Sequence, residues 1–318
     1  KYKEYKKFKE FFIHFKPFIH FIHFIPFLYL CPMPEQPVKL IECPRDAMQG
    51  WKTFIPTAQK TAYINTLLKV GFDTLDCGSF VSPKAIPQMA DTAEVLDQLD
   101  MDATTTKLLV IVANERGATE AVQYDQISYL GFPFSVSPTF QQRNTNSTPQ
   151  ESLARVEAIQ NLCIRHNKQL VVYLSMGFGN PYGDPYNEEI VSEWVQALLK
   201  NDIRILSLAD TVGLATADQV YTMTRHLITS LPDIEIGVHL HSSPGNWRSK
   251  MEAALRAGCI RFDGALKGIG GCPMANDELV GNMDTEKMIG WLAQQNRLPA
   301  LNQDALTESL LLANRIFN

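Results

Sequence analysis

The sequence predicts a (β/α)8 barrel preceded by a low-complexity extension. Three observations predict it. From Val38 onward the chain carries eight short runs rich in β-branched and aliphatic residues. Longer stretches with apolar residues three and four apart lie between them, and the units together occupy about 265 residues, the usual size of such a barrel. The runs are VKLIEC (38–43), TLDCGSF (74–80), KLLVIVA (107–113), QISYLGF (126–132), LVVYLSM (170–176), IRILSLA (203–209), EIGVHLH (235–241) and RFDGALK (261–267). They read as strands covered on both faces, as parallel strands are. Helical spacing runs through 57–70, 150–166, 187–200, 217–230 and 246–257, and through the amphipathic end segment 303–317. Two helices carry start signals: Ser147-Thr148-Pro149-Gln150-Glu151 joins hydroxyls to a proline and an acid, and Thr216 precedes Ala217-Asp218. Alternation alone does not decide closure, so a doubly wound open sheet is the competing architecture. No G-x-G-x-x-G follows the first strand, which removes support for its dinucleotide-binding form.

Composition agrees with one large core. Of 318 residues, 45% are apolar and 20% charged, as in soluble globular proteins. A net charge of −5 gives no support for a nucleic-acid binder held by phosphate contacts. The positive charge is concentrated at the start, where Lys1, Lys3, Lys6, Lys7, Lys9 and Lys16 accompany a Phe at every third position from Phe12 to Phe27. A period of three suits neither helix nor strand. Lys16, Pro17, Pro26 and three His interrupt the apolar stretch, so a membrane span is not expected, and no small-residue cleavage site follows. Residues 1–34 therefore read as an extension outside the fold and residues 35–318 as the barrel domain. Cys31, Cys43, Cys77, Cys163, Cys259 and Cys272 form no C-x-x-C pairs, which points to reduced thiols and a cytoplasmic location rather than a disulfide or zinc scaffold.

In a barrel, chemistry belongs at the C-terminal ends of the strands. His239 and His241 end the seventh run two residues apart, so both imidazoles point to one face. Outside the extension the chain has only His166 and His226 besides these two. A pair of core histidines satisfied by backbone groups is the competing reading, so further ligands are needed. The first run ends in Pro44-Arg45-Asp46, the sixth in Asp210-Thr211, and the eighth leads to Gly268-Ile269-Gly270-Gly271-Cys272-Pro273 and then Gly281-Asn282. The glycines serve either a tight turn or a mobile loop carrying a thiol over the mouth. Asp46, His239, His241 and Asn282 together make a mixed N/O donor set without thiolate, which suits Mg²⁺ or Mn²⁺ with open positions. Such an ion chelates a hydroxyl beside a carbonyl, and Arg45 is placed to steady an oxyanion, so the implied chemistry is carbon–carbon cleavage or formation through an enolate.

These residues resemble the 3-hydroxy-3-methylglutaryl-CoA lyase family. The resemblance rests on Pro44-Arg45-Asp46 with Gln49, on Ser79-Phe80-Val81-Ser82-Pro83-Lys84 with Pro87-Gln88-Met89, and on Asp210-Thr211-Val212-Gly213. His239-Leu240-His241, Gly270-Gly271-Cys272-Pro273 and Gly281-Asn282 complete it. It covers about Val38 to Gly290, in the family's order. It implies cleavage of an acyl-CoA substrate, 3-hydroxy-3-methylglutaryl-CoA, to acetyl-CoA and acetoacetate, with a place in leucine catabolism and ketone-body metabolism. By resemblance, Asp46, His239, His241 and Asn282 hold the cation, and Arg45 polarises the thioester carbonyl. Cys272 assists proton transfer from a flexible loop, and Asp210 contributes to the acid/base work. Asp76 supports Arg45 or the metal water, and Gln49, Ser79, Ser82 and Thr211 line the substrate. The chain departs from the family in having Asp76 for Glu, a carboxylate about 1.5 Å shorter in reach. It also has Asn180 for a cysteine after the fifth strand, Ala47-Met48 inside the Arg-Asp motif and Met274 in the glycine loop. A related hydroxyacyl-CoA lyase, a Claisen-type synthase and a non-catalytic CoA-thioester or metal-binding homologue are the alternatives. Barrels of this kind often pair through surface helices, which leaves a homodimer open.

Overall fold

Eight parallel strands among the described residues close into a barrel in sequence order, β1 (Lys39–Glu42), β2 (Thr74–Ser79), β3 (Lys107–Ile111), β4 (Ile127–Ser135), β5 (Gln169–Ser175), β6 (Ile205–Asp210), β7 (Glu235–Leu240) and β8 (Arg261–Gly264). The computed structural model describes residues 37–102, 104–271 and 280–318. Closure is made by β1, which pairs with β2 on one side and with β8 on the other, at Lys39↔Arg261 through Glu42↔Gly264. The open-sheet alternative is thereby excluded. Each expected run overlaps its strand, with shifted ends. β4 continues to Ser135, whereas β8 stops at Gly264 because the chain turns through Leu266–Gly268, with Lys267 at φ 65°.

The helices form where apolar spacing and caps place them. Thr148 and Thr216 both close reciprocal capping boxes, with Glu151 and Gln219. The helices Thr57–Leu68, Pro149–Arg165, Glu188–Leu199, Ala217–Ser230, Trp247–Ala257 and Gln303–Ile316 match the expected segments to within two residues. A short helix at Pro44–Gln49 was not apparent from spacing, because six residues are too few to show a period. Pro44 in its first turn starts it, and it carries Arg45 and Asp46 directly off β1.

The main core packs between the strands and the helices, and a smaller cluster of Leu109, Tyr129, Val171, Tyr173 and Ile205 packs separately from it. At the N-terminal end of the barrel Glu235 pairs with Lys39 (2.5 Å) and with the fully buried Arg261 (3.2 Å). Residues from Pro37 to Asn318 form one compact unit.

Glu42, at the end of β1, is fully buried and accepts from Leu266 N (2.8 Å) and Thr285 Oγ1 (2.6 Å). Burial pushes its pKa from 4.5 up to about 8, outweighing those hydrogen bonds. The folded state therefore keeps a proton that the unfolded chain releases. This contribution is complete below about pH 4.5 and is lost as pH rises towards 8. Glu42→Gln is expected to flatten that loss by a few kcal/mol. Melting temperatures of both proteins between pH 5 and 8.5 check it, and parallel pH profiles would refute it.

Candidate active site at the barrel mouth

The short helix after β1, the end of β7 and the segment after Gly281 bring three distant parts of the chain together. Asp46, His239 and His241 offer ligand atoms within 4.8 Å of one another, all buried. His241 forms an isolated antiparallel bridge with Asn282, which fixes the amide beside the imidazoles. Asn282 Nδ2 donates to Asp46 Oδ2 (2.6 Å) and to Ile269 O (2.9 Å), while its Oδ1 is buried with no hydrogen-bond partner. An acceptor left over beside two imidazoles and a carboxylate is the arrangement a divalent cation satisfies. The four expected ligands therefore fit such an ion.

Each imidazole is oriented through its other nitrogen. His239 Nδ1 lies 3.2 Å from Asp263 Oδ2, and His241 Nδ1 lies 2.8 Å from Val280 O, which leaves both Nε2 atoms for the centre. Tyr173 packs edge-on against His239 with ring centres 5.8 Å apart. Burial opposes the charged form of Asp46, yet Arg45 and the two imidazoles hold its carboxyl below the usual range. Burial also acts against protonated His239, but the Asp263 carboxylate raises its pKa. For His241, burial and the neighbouring His239 both lower it.

Arg45 stands beside this set. Its Nε lies 3.1 and 3.0 Å from the two Asp76 oxygens, its Nη2 also donates to Asp76 Oδ2, and its Nη1 donates to Asp46 Oδ1 (3.0 Å). The shorter Asp76 carboxylate thus reaches Arg45 and anchors it. Burial pushes Asp76 up to about 6 against the pull of Arg45, while its acidic neighbours hold Arg45 above its ordinary value despite burial. Gln49 Nε2 donates to Asp46 Oδ1 (2.5 Å).

Other expected residues stand apart from this cluster. Ser79 Oγ donates to Ile111 O (3.2 Å) and accepts from Val81 N, and Ser82 is exposed on the loop beyond β2. Thr211 Oγ1 accepts from Met176 N (3.0 Å). Asp210 reaches the rim, but its carboxylate is engaged by Lys250 Nζ (2.6 Å) and Ala215 N (3.1 Å). The pleat explains this, since Ala209 pairs with the inward His239 and Asp210 takes the opposite face. As a free acid or base facing the axis, the expectation for Asp210 lacks support. Asn180 Oδ1 accepts from Tyr182 N and Asp184 N, so the amide in place of a cysteine shapes the loop after β5. Cys272 lies outside the described residues. Gly270 packs onto the site at φ 107°, where a Cβ would come within 2.5 Å of Asn282 Nδ2. That position requires glycine.

Asp263 and Lys250 were not anticipated. Asp263 had a signal, an acid two residues from Arg261 inside a buried strand, and Lys250 had one in a lysine among Met251, Ala253 and Ala254.

A protein from Bacillus subtilis named hydroxymethylglutaryl-CoA lyase is 34% identical over 253 residues, covering 80% of this chain and 84% of that protein. The crystal structure of the Bacillus subtilis HMG-CoA lyase superposes with a TM-score of 0.83 at 30% identity, covering 89% of this chain and 95% of the other. An HMG-CoA lyase from Acinetobacter baumannii, solved with coenzyme A and 3-methylmalate, gives 0.82 at 30% identity, covering 89% and 92%. The model of the HMGL-like family matches residues 38–312, which span the barrel and every donor of the site, and the chain belongs to that family.

Proposed function

We propose that the chain is a divalent-cation-dependent lyase cleaving 3-hydroxy-3-methylglutaryl-CoA to acetyl-CoA and acetoacetate. The observation that carries the reading is the convergence of Asp46, His239, His241 and the orphaned Asn282 Oδ1 beside an anchored Arg45. Mg²⁺ or Mn²⁺, held by those four residues, would lower the pKa of the substrate 3-hydroxyl. In the reaction that hydroxyl loses its proton and becomes the ketone of acetoacetate. The C2–C3 bond breaks, and its electron pair passes to the thioester as an enolate, which takes a proton at C2 to give acetyl-CoA. Arg45 has two N–H groups beyond those given to Asp76 and Asp46, and these would donate to the developing enolate oxygen. Asp76 holds the guanidinium in place, and Gln49 steadies Asp46. Cys272 assists the proton transfer, while Ser79, Ser82 and Thr211 shape the acyl-CoA entrance.

A cytoplasmic setting is supported by the thiols. Cys43, Cys77, Cys163 and Cys259 are buried and unpaired, and burial pushes Cys163 and Cys259 up to about 12. Among the described residues no helix is long and apolar enough to cross a membrane.

The test is acetoacetate release from 3-hydroxy-3-methylglutaryl-CoA in Mg²⁺. Turnover that needs added Mg²⁺ and falls in Cys272→Ala is the expected result. No product above that variant's background overturns the reading. Cleavage of another 3-hydroxyacyl-CoA alone would transfer it to a related lyase.

A further inference from the structure

Lys250 sits in the first turn of the helix Trp247–Ala257, yet only 1% of it is exposed. Its ammonium has three acceptors at bonding distance, Asp210 Oδ2 (2.6 Å), His241 O (2.9 Å) and Gly213 O (3.0 Å). An ammonium has three hydrogens, so its donor capacity is filled. The three acceptors belong to three pieces of the rim: the end of β6, the turn that follows it, and the residue just after β7. Burying a lysine among them is costly unless every donor is matched, as it is here.

The same contacts lead to the donor set. Gly213 lies at φ 71°, and a Cβ there would come within 2.7 Å of the Val280 side chain. Val280 O accepts from His241 Nδ1 (2.8 Å), so the turn held by Lys250 packs against the residue that orients the imidazole. Lys250 thus grips His241 twice, through its backbone carbonyl directly and through its ring by way of Gly213 and Val280. Asp210 stands on the helix-facing side of β6, where Lys250 meets it.

We propose that Lys250 is a positioning residue that locks the β6–β7 rim and sets the His241 imidazole for cation binding, with Asp210 as its fixed counter-charge. The inference rests on the metal reading above.

Mn²⁺ binding to the full chain, followed by calorimetry and by the electron paramagnetic resonance of free Mn²⁺, tests it. Lys250→Met is expected to weaken Mn²⁺ binding about 10–100-fold, the usual cost of losing a group that orients a ligand. It also leaves Asp210 buried without its partner, so the melting temperature should fall by roughly 10 °C. Asp210→Asn with Lys250→Met removes both charges and separates the two roles. In the double variant most of the melting temperature should return while Mn²⁺ binding stays at least about 10-fold weak. Recovery of both would make Lys250 a charge partner only and overturn the proposal. So would wild-type Mn²⁺ affinity in a folded Lys250→Met protein. A wild-type chain that binds no Mn²⁺ overturns the metal reading together with this one, whereas binding that is indifferent to Lys250 overturns this one alone.

Discussion

Replacing Arg45 by glutamine is expected to lower kcat by about 10²–10⁴-fold while KM stays within a few-fold. The Arg45 side chain is 10% exposed, and its guanidinium lies between Asp76 and Asp46, held by hydrogen bonds to both. It needs no reorganisation when negative charge appears on a nearby oxygen, and stabilisation of that kind is felt in the transition state rather than in the bound substrate. A neutral amide has neither the charge nor the fork that Asp76 grips, so about 3–5 kcal/mol of barrier stabilisation is at stake. Steady-state kinetics with circular dichroism check it. The substitution also strands the buried Asp76, and Asp76→Asn added to it should restore the melting temperature without restoring kcat. A parallel loss in kcat and KM, or recovery of rate in the double variant, would show that Arg45 serves the fold alone.

His241→Ala is expected to weaken Mn²⁺ binding on the order of 10²-fold or more and to abolish turnover at ordinary metal concentrations. The imidazole is one of four donors, and each of the others is already committed. Asp46 is shared with Arg45, Gln49 and Asn282, and His239 is held by Asp263. None is free to move over and replace it. Calorimetric titration of the apoprotein with Mn²⁺ measures the loss. Unchanged affinity would remove His241 from the ligand set and return the pair to the reading of core histidines.

Much of this was legible in the chain because it is written locally. Strands buried on both faces show as continuous apolar runs, and two imidazoles at a strand end share a face through the pleat alone. Asp46 and Asn282, in contrast, are 236 residues apart, and only closure of β1 onto β8 makes them neighbours. The resemblance supplied that juxtaposition before the geometry did. Partners of buried charges were harder to read. Spacing places Asp210 at the rim, but which way its carboxylate points depends on a half-step of the pleat and on a lysine from a helix 40 residues on. Asp263 was overlooked because an acid inside a strand has no meaning until the register sets it opposite His239. The helix Pro44–Gln49 is too short to leave a periodic trace.

The ion pairs that Glu235 makes with Lys39 and Arg261 stopper the end of the barrel opposite the reactive groups. The vessel is therefore a cup and not a pipe. Whatever goes in must come back out over the same lip.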